Sequence, residues 1–262
     1  DDDLWDVLPD NTAYEVYHKG TKALKDFTLI CKDVDVITTT NQFLRNVIHF
    51  NTGKPLDKIV IIPNFIDLEN VYNTIPPFRN AHDVIIGHMG STTHFNSLLG
   101  KDFTDGMTQV MKDFPNVRFR SIGSFIPQFK ELWGMRYENA FGHIDVLEWA
   151  KKMPTMLADI DFMVTPLTEN IYNRSKSSIK WLEASSCKRT GCWQAIRQYQ
   201  EVIDGTNGFL CNSAESWYES MKKLILDKEL RQRMGETAYQ QVKEGWTIQK
   251  NINNYIELFQ NL

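Results

Sequence analysis

Residues 173–183, NRSKSSIKWLE, gather the groups best suited to chemistry in this chain. Asn173, Arg174, Ser175, Lys176 and Ser177 can all donate to phosphate oxygens, and two of them are cations. Lys180 follows Lys176 by four residues, and Glu183 follows Lys180 by three. On a helix, positions i, i+4 and i+7 share a face. Cations at a helix mouth suit a diphosphate, and a carboxylate two turns deeper suits a ribose diol. Lys and Glu at this spacing also form ordinary solvated faces with weak ion pairs. Two observations favour a ligand. Lysine in a first helical turn opposes the helix dipole by roughly 0.3–1 kcal/mol, and a bound anion would reverse that sign. The preceding run 161–167, DFMVTPL, reads as a buried strand. Strand, polar loop and helix start then follow in the order by which α/β proteins hold phosphate.

The elements that must position this segment alternate in kind. A helix is expected over 12–32, with Thr12 as its cap, then a strand over 34–40. Asn41 caps a helix to about residue 50, 51–55 is a loop, and 58–63 is a second strand. Residues 68–80 hold Pro76 and Pro77 and show little periodicity, so they read as a linker. A second series then starts. Strands are expected at 84–90, 117–122, 139–143, 161–167, 192–196 and 208–211. Helices are expected at 95–113, 147–158, 174–188 and 199–203, then at 213–226, 228–243 and 247–260. Such alternation implies mostly parallel sheets covered on both faces. Gly90, Ser91, Thr92 and Thr93 follow the first strand of this series, at the end where open α/β sheets bind ligands. His94 is close enough in sequence to reach the same cleft, although a lone His is more often a surface or capping residue. Trp181 points away from the Lys176, Lys180 and Glu183 face and is expected in the core.

The pattern Asn173-x-x-Lys176-Ser177-x-x-Lys180-x-x-Glu183, with 161–167 before it, resembles the donor site of GT-B glycosyltransferases. The likeness is greatest to the retaining, family-4-like group. Residues 149–159, WAKKMPTMLAD, and 199–210, YQEVIDGTNGFL, are similar to further elements of that group. The resemblance spans most of 60–245. It implies an α/β GT-B fold of two Rossmann-like lobes around a cleft. Residues 1–67 would be the later part of the first, acceptor-binding lobe, whose opening strands are expected before residue 1 or on a partner chain. Residues 68–80 would be the linker, 81–245 the donor-binding lobe, and 246–262 a helix crossing back to the first lobe. The resemblance also implies that Gly123 and Ser124 meet the base or diphosphate, that 143–145 lie against the base, and that the acidic turn Asp1, Asp2 and Asp3 faces the cleft. The chain departs from the group at two places. Many members carry Glu-x7-Glu at this helix, and the first of those positions is Ser175 here. An Arg and Lys pair expected after the first strand of the donor lobe is missing, and Lys176 is its natural substitute.

The implied activity is transfer of a sugar from a nucleoside diphosphate sugar, UDP- or GDP-linked, to an acceptor hydroxyl with retention at the anomeric carbon. Lys176 and Arg174 would stabilise the leaving diphosphate. Gly90, Ser91, Thr92, Gly123, Ser124, Asn173, Ser175, Ser177, Lys180 and Glu183 would bind the donor. A glycan, lipid-linked sugar, protein or modified base would serve as acceptor. No prosthetic group and no essential metal are expected. Two rivals are an epimerase or phosphorylase on the same fold, and a non-catalytic sugar- or nucleotide-binding module.

Composition narrows the field further. The 262 residues carry a formal net charge of −4, against the basic excess of a dedicated nucleic-acid binder. Four scattered cysteines suit a reducing compartment, hence a cytoplasmic expectation, and Cys187 with Cys192 lacks the second ligand pair of a zinc site. No apolar run reaches the ~18–20 residues of a membrane span.

Overall fold

The computed structural model describes residues 2–140, 142 and 146–260. The first lobe holds helices α1 (Tyr14–Tyr17), α2 (Lys22–Asp33) and α3 (Gln42–Thr52), with strands β1 (Ile37–Thr39) and β2 (Ile59–Ile61). The helix expected over 12–32 is thus two helices. Gly20 sits between them at φ +99°, a conformation that suits glycine, and Thr21 starts α2 by accepting from Leu24 N. Asn41 caps α3 through Oδ1, 2.9 Å from Leu44 N, and Gly53 ends it at φ +72°. β1 and β2 pair in parallel, Ile37 opposite Ile59. Leu44, Ile48 and Ile59 form their small core.

The second lobe contains β3 (Val84–Gly90), α4 (Phe95–Leu98), α5 (Lys101–Asp113), β4 (Val117–Gly123), α6 (Pro127–Trp133) and β5 (Tyr137–Ala140). It continues with α7 (Val146–Leu157), β6 (Phe162–Thr165), α8 (Ile179–Ser186), β7 (Gly191–Gln194), β8 (Phe209–Cys211), α9 (Ala214–Leu226) and α10 (Lys228–Gly245). A final helix, α11, spans Ile248–Gln260. All pairings in the six-stranded sheet are parallel, in the order β5-β4-β3-β6-β7-β8. Strand alternation feeds two cores. Ile86, Phe119 and Val164 pack with α5, α6 and α9 on one face. Ile85, Met163 and Trp193 pack with α7, α8 and α10 on the other, and Trp181 lies fully buried there. The order in which strands are added reverses between β3 and β6, which opens a crevice at their carboxyl ends.

Several expected boundaries move. The helix over 95–113 breaks at Gly100, which precedes α5. The expected strand 139–143 is β5, displaced toward the N-terminus, and residues 141 and 143–145 lie outside the described residues. The helix over 199–203 is a 3-10 turn, Arg197–Tyr199. Most relevant to function, 174–188 is not one helix. A 3-10 turn, Asn173–Ser175, comes first, Lys176 is extended, and α8 begins only after Ser178. Lys176 therefore precedes the helix instead of sharing a helical face with Lys180.

Residues 68–80 contain only turns and irregular backbone. Their end is fixed to the second lobe. Arg189 is fully buried and donates to Pro77 O (2.9 Å), Pro76 O (3.3 Å), Leu157 O (3.2 Å), Cys187 O (3.2 Å) and Ala158 O (3.4 Å), all of them carbonyls. Arg79 adds an ion pair to Asp161 at 3.0 Å. Arg189→Met keeps the bulk but strands several carbonyls, so stability should fall by about 2–4 kcal/mol. Cleavage near Pro76 by a broad-specificity protease should accelerate. An unchanged urea midpoint together with an unchanged cleavage rate would dismiss this anchor.

At its other end the second lobe returns to the first. Ile66 N donates to Trp246 O (2.8 Å) and Ile248 N donates to Ile66 O (3.0 Å), so α11 starts beside the end of the first lobe. Among the described residues, no helix is long and apolar enough to cross a membrane.

Candidate functional site

The crevice is lined first by backbone. Gly90 ends β3, and a Cβ there would lie 3.0 Å from the His94 ring and 3.1 Å from His88 Nε2. Gly123 ends the neighbouring β4 at φ +99°, and a Cβ on it would lie 2.7 Å from Gly90 O. Ser124 N donates to that same carbonyl at 3.3 Å. Gly90, Gly123 and Ser124 thus form one tight junction of two strand ends. Ser91 is exposed, its Oγ 2.8 Å from Thr93 Oγ1. The side chain of Thr92 lies outside the described residues, as do His143, Ile144 and Asp145.

The loop before α8 joins the lobes. Ser175 is fully buried; its Oγ donates to Tyr172 O (2.6 Å) and accepts from Asp3 N (3.0 Å). Its carbonyl accepts from Asn41 Nδ2, and Ser177 Oγ accepts from Asn64 Nδ2 at 2.7 Å. Asn173 is buried and donates to Thr168 O at 2.8 Å. Asn173 and Ser175 therefore shape the loop. Arg174 is exposed and pairs outward with Glu169 at 3.0 Å. Lys176 is only 11% exposed, with Nζ 2.8 Å from Asp2 Oδ1 and 4.7 Å from the Tyr172 ring centre. Burial pushes the Asp2 carboxyl up, but the charge and hydrogen bond of Lys176 leave it below its ordinary value. Arg174, Lys176 and Ser177 also border a cleft of roughly 800 Å³, open to solvent, whose lining includes Asn41, Asn64 and Trp246.

One helical turn further lies the ionic centre. Glu183 is 8% exposed, and its Oε1 accepts from Trp149 Nε1 (3.2 Å) and Tyr72 OH (3.4 Å). Burial raises its carboxyl to about 7, against the pull of Lys180. Burial and then Lys176 lower the Lys180 ammonium to about 8. Lys180 Nζ lies 3.0 Å from His94 Nε2. Beneath them, buried His88 contacts Val164 O through Nδ1 at 2.9 Å. Gly90, His94, Lys176, Lys180 and Glu183 are thus gathered at one crevice, while Arg174 turns away from it. Tyr72 and His88 did not emerge from sequence pattern. His88 could have, as a polar residue within an otherwise apolar strand, VIIGHMG. Tyr72 carries no local signal, because only tertiary folding brings the linker to α8.

Two parallel α/β lobes facing across such a crevice define the GT-B fold. Residues 83–227, more than half of the chain, match the family model described as Glycosyl transferases group 1. The chain belongs to that family. Among solved structures it is similar to HepE of Anabaena in complex with UDP and glucose, at TM-score 0.71 and 15% identity, covering 92% of this chain and 67% of that one. It is similar to TarM at TM-score 0.67 and 17% identity, covering 92% and 47%. Sucrose-phosphate synthase of Thermosynechococcus elongatus follows at 0.62 and 14%, covering 95% and 64%. A trehalose synthase of Thermococcus litoralis is 31% identical over 58 residues, 22% of this chain and 14% of that protein. The chain thus spans only part of each relative's length.

Proposed function

We propose that this chain binds a nucleoside diphosphate sugar in the crevice between β3 and β6 and transfers the sugar to an acceptor hydroxyl with retention. The observation that carries the reading is the buried Glu183, held by Tyr72 and Trp149 one helical turn along α8 from Lys180, whose ammonium meets His94 after the Gly90 turn. A buried carboxylate with one oxygen engaged by two neutral donors is suited to accept from a ribose diol. Lys180 and Lys176 then meet the diphosphate, and Lys176 adds charge where the leaving group forms. HepE, of similar fold, is described in complex with UDP and glucose, which supports a uridine nucleotide as the first to test. The first lobe supplies the acceptor side, where a glycan, lipid-linked sugar, protein or modified base would be received. No prosthetic group is needed for this chemistry, and a cytoplasmic location fits a cytosolic nucleotide sugar.

A thermal-shift panel of UDP, GDP, dTDP, ADP and CMP sugars tests the reading. A ligand at 100 times its Kd should add ~2.7 kcal/mol of stability. If no nucleotide raises the midpoint, the donor site is disproved. The second reading, a binding module without catalysis, draws on Ser175, whose hydroxyl stands at the first Glu position and is engaged on both sides. Binding without release of labelled sugar, even to water, would select it.

A further inference from the structure

His94 is used by no step of the transfer proposed above. It closes the 3-10 turn Thr92–His94 after β3 and is 8% exposed. Its Nε2 faces the Lys180 ammonium at 3.0 Å. An ammonium only donates, so Nε2 must be the lone-pair nitrogen and Nδ1 carries the hydrogen. That Nδ1 is buried and finds no partner among the described residues. The His88 ring sits edge-on to the His94 ring, ring centres 6.3 Å and planes 66° apart. Its Nδ1 faces Val164 O, which can only accept, so its buried, unpartnered Nε2 is also a lone pair. Two neutral imidazoles thus share a pocket with a cation. Burial first, then the charges of Lys180 and Lys176, keep His94 neutral. Burial and Lys180 do the same to His88. The remaining charges nearby are Asp2, paired with Lys176, and Glu183, one turn beyond Lys180 on α8.

We propose that His94 is a diphosphate-binding residue that takes up a proton from solvent when the donor binds, so that nucleotide affinity is coupled to proton uptake at this turn. The inference rests on the donor reading given above. Phosphate oxygens only accept hydrogen bonds. Once Lys180 turns its hydrogens to a diphosphate, the His94 lone pair faces an acceptor, an arrangement that repels. Adding one proton at Nε2 makes both ring nitrogens donors. The diphosphate of a donor sugar brings two negative charges, enough to cancel the two lysines, and free UDP or GDP brings about three, so the positive field that helps to hold His94 neutral is cancelled or reversed. Nδ1–H stays in place, no covalent bond other than the new N–H forms, and the proton returns to solvent on release. Gly90 allows the close packing: a side chain there would press on both imidazoles.

Calorimetry of UDP and GDP binding at pH 7.5, in Pipes, Hepes and Tris, counts protons through the buffers' different ionisation enthalpies. Wild type should take up about 0.5–1 proton per nucleotide. His94→Gln keeps an acceptor for Lys180 but cannot be protonated. It should lose at least about half of that uptake and weaken binding about tenfold, the scale of one charge-assisted hydrogen bond. Glu183→Gln separates the other nearby acid, and the His94 share of the uptake should persist in it. Tight binding without uptake in wild type overturns the proposal and leaves the donor reading standing. Undiminished uptake in His94→Gln does the same. If neither nucleotide binds, the donor reading falls and this inference falls with it.

Discussion

Glu183→Ala is expected to weaken nucleoside diphosphate binding at least tenfold, since a hydrogen bond to a charged group contributes roughly 1.5–3 kcal/mol. Uridine or guanosine diphosphate titrated by calorimetry into the folded variant is the measurement, and an unchanged Kd would remove Glu183 from the site. The same carboxyl makes a pH signature. Burial raises it to about 7, above the ordinary 4.5. An acceptor carboxylate is present only when ionised, so the Glu183 share of the affinity should climb as pH rises through about 7, opposite in sign to the His94 share, and His94→Gln should expose it. Stability should move the other way. The folded state holds its proton more tightly than the unfolded one, so this group's contribution is complete below pH 4.5 and is lost as pH rises through about 7. Glu183→Gln, which keeps the shape without the charge, should therefore gain on wild type by about 1–3 kcal/mol between pH 5 and pH 8. A flat difference across that range would mean the buried carboxyl is matched by Lys180 at every pH.

The order of elements was legible because the periodicities are strong. The run VIIGHMG is a strand from Val84 to Gly90 as the pattern predicts, since both its faces are covered and neither needs polar residues. Helix boundaries were less legible where the chain bends for a tertiary reason. Residues 173–178 mix Arg174 and Lys176, good helix formers, with Asn and Ser, which favour caps and turns, and Asp3, Asn41 and Asn64 hydrogen-bond the loop away from helical geometry. A local pattern cannot contain partners more than 100 residues away. α6 escaped notice because its seven residues are too few to show a period, although Phe129 and Trp133 are a helical turn apart in the core.

For the candidate site, the sequence carried residue types but not their surroundings. Residue types at 176, 180 and 183 pointed to a diphosphate and a ribose, and the structure gathers Lys180 and Glu183 on α8 beside the Gly90 turn. The partners that tune them were not legible. Trp149 comes from α7, Tyr72 from the linker and His88 from β3. Trp149 and Tyr72 are ordinary core residues by pattern, His88 is marked only as a polar residue in an apolar strand, and the three-dimensional crossing at α8 gives each its polar task.

Lys176 carries the other large expectation. It lies just before α8, 11% exposed, with its ammonium against Asp2 and the face of Tyr172. This placement fixes a cation at the seam of the two lobes instead of leaving it to wander in solvent. As the bond to the sugar breaks, charge grows on the diphosphate, and a cation already held in position stabilises the transition state more than the intact donor. Lys176→Ala should accordingly lower kcat by about 10²–10³, the range seen when one preorganised donor to developing charge is removed, while KM for the donor changes little. Lys176→Arg should keep part of the rate, because charge survives but the fork cannot sit over Tyr172 and against Asp2 in the same way. Release of labelled sugar from the donor to water gives the readout without requiring a known acceptor. Asp2→Asn is the control: it leaves the cation but removes its tether, so a loss confined to Lys176→Ala assigns the effect to the charge, and an equal loss in both assigns it to the pairing between lobes. Should Lys176→Ala raise KM alone and spare kcat, the lysine binds ground state and transition state equally, and leaving-group stabilisation must come from Lys180 and the backbone of the Gly90 turn.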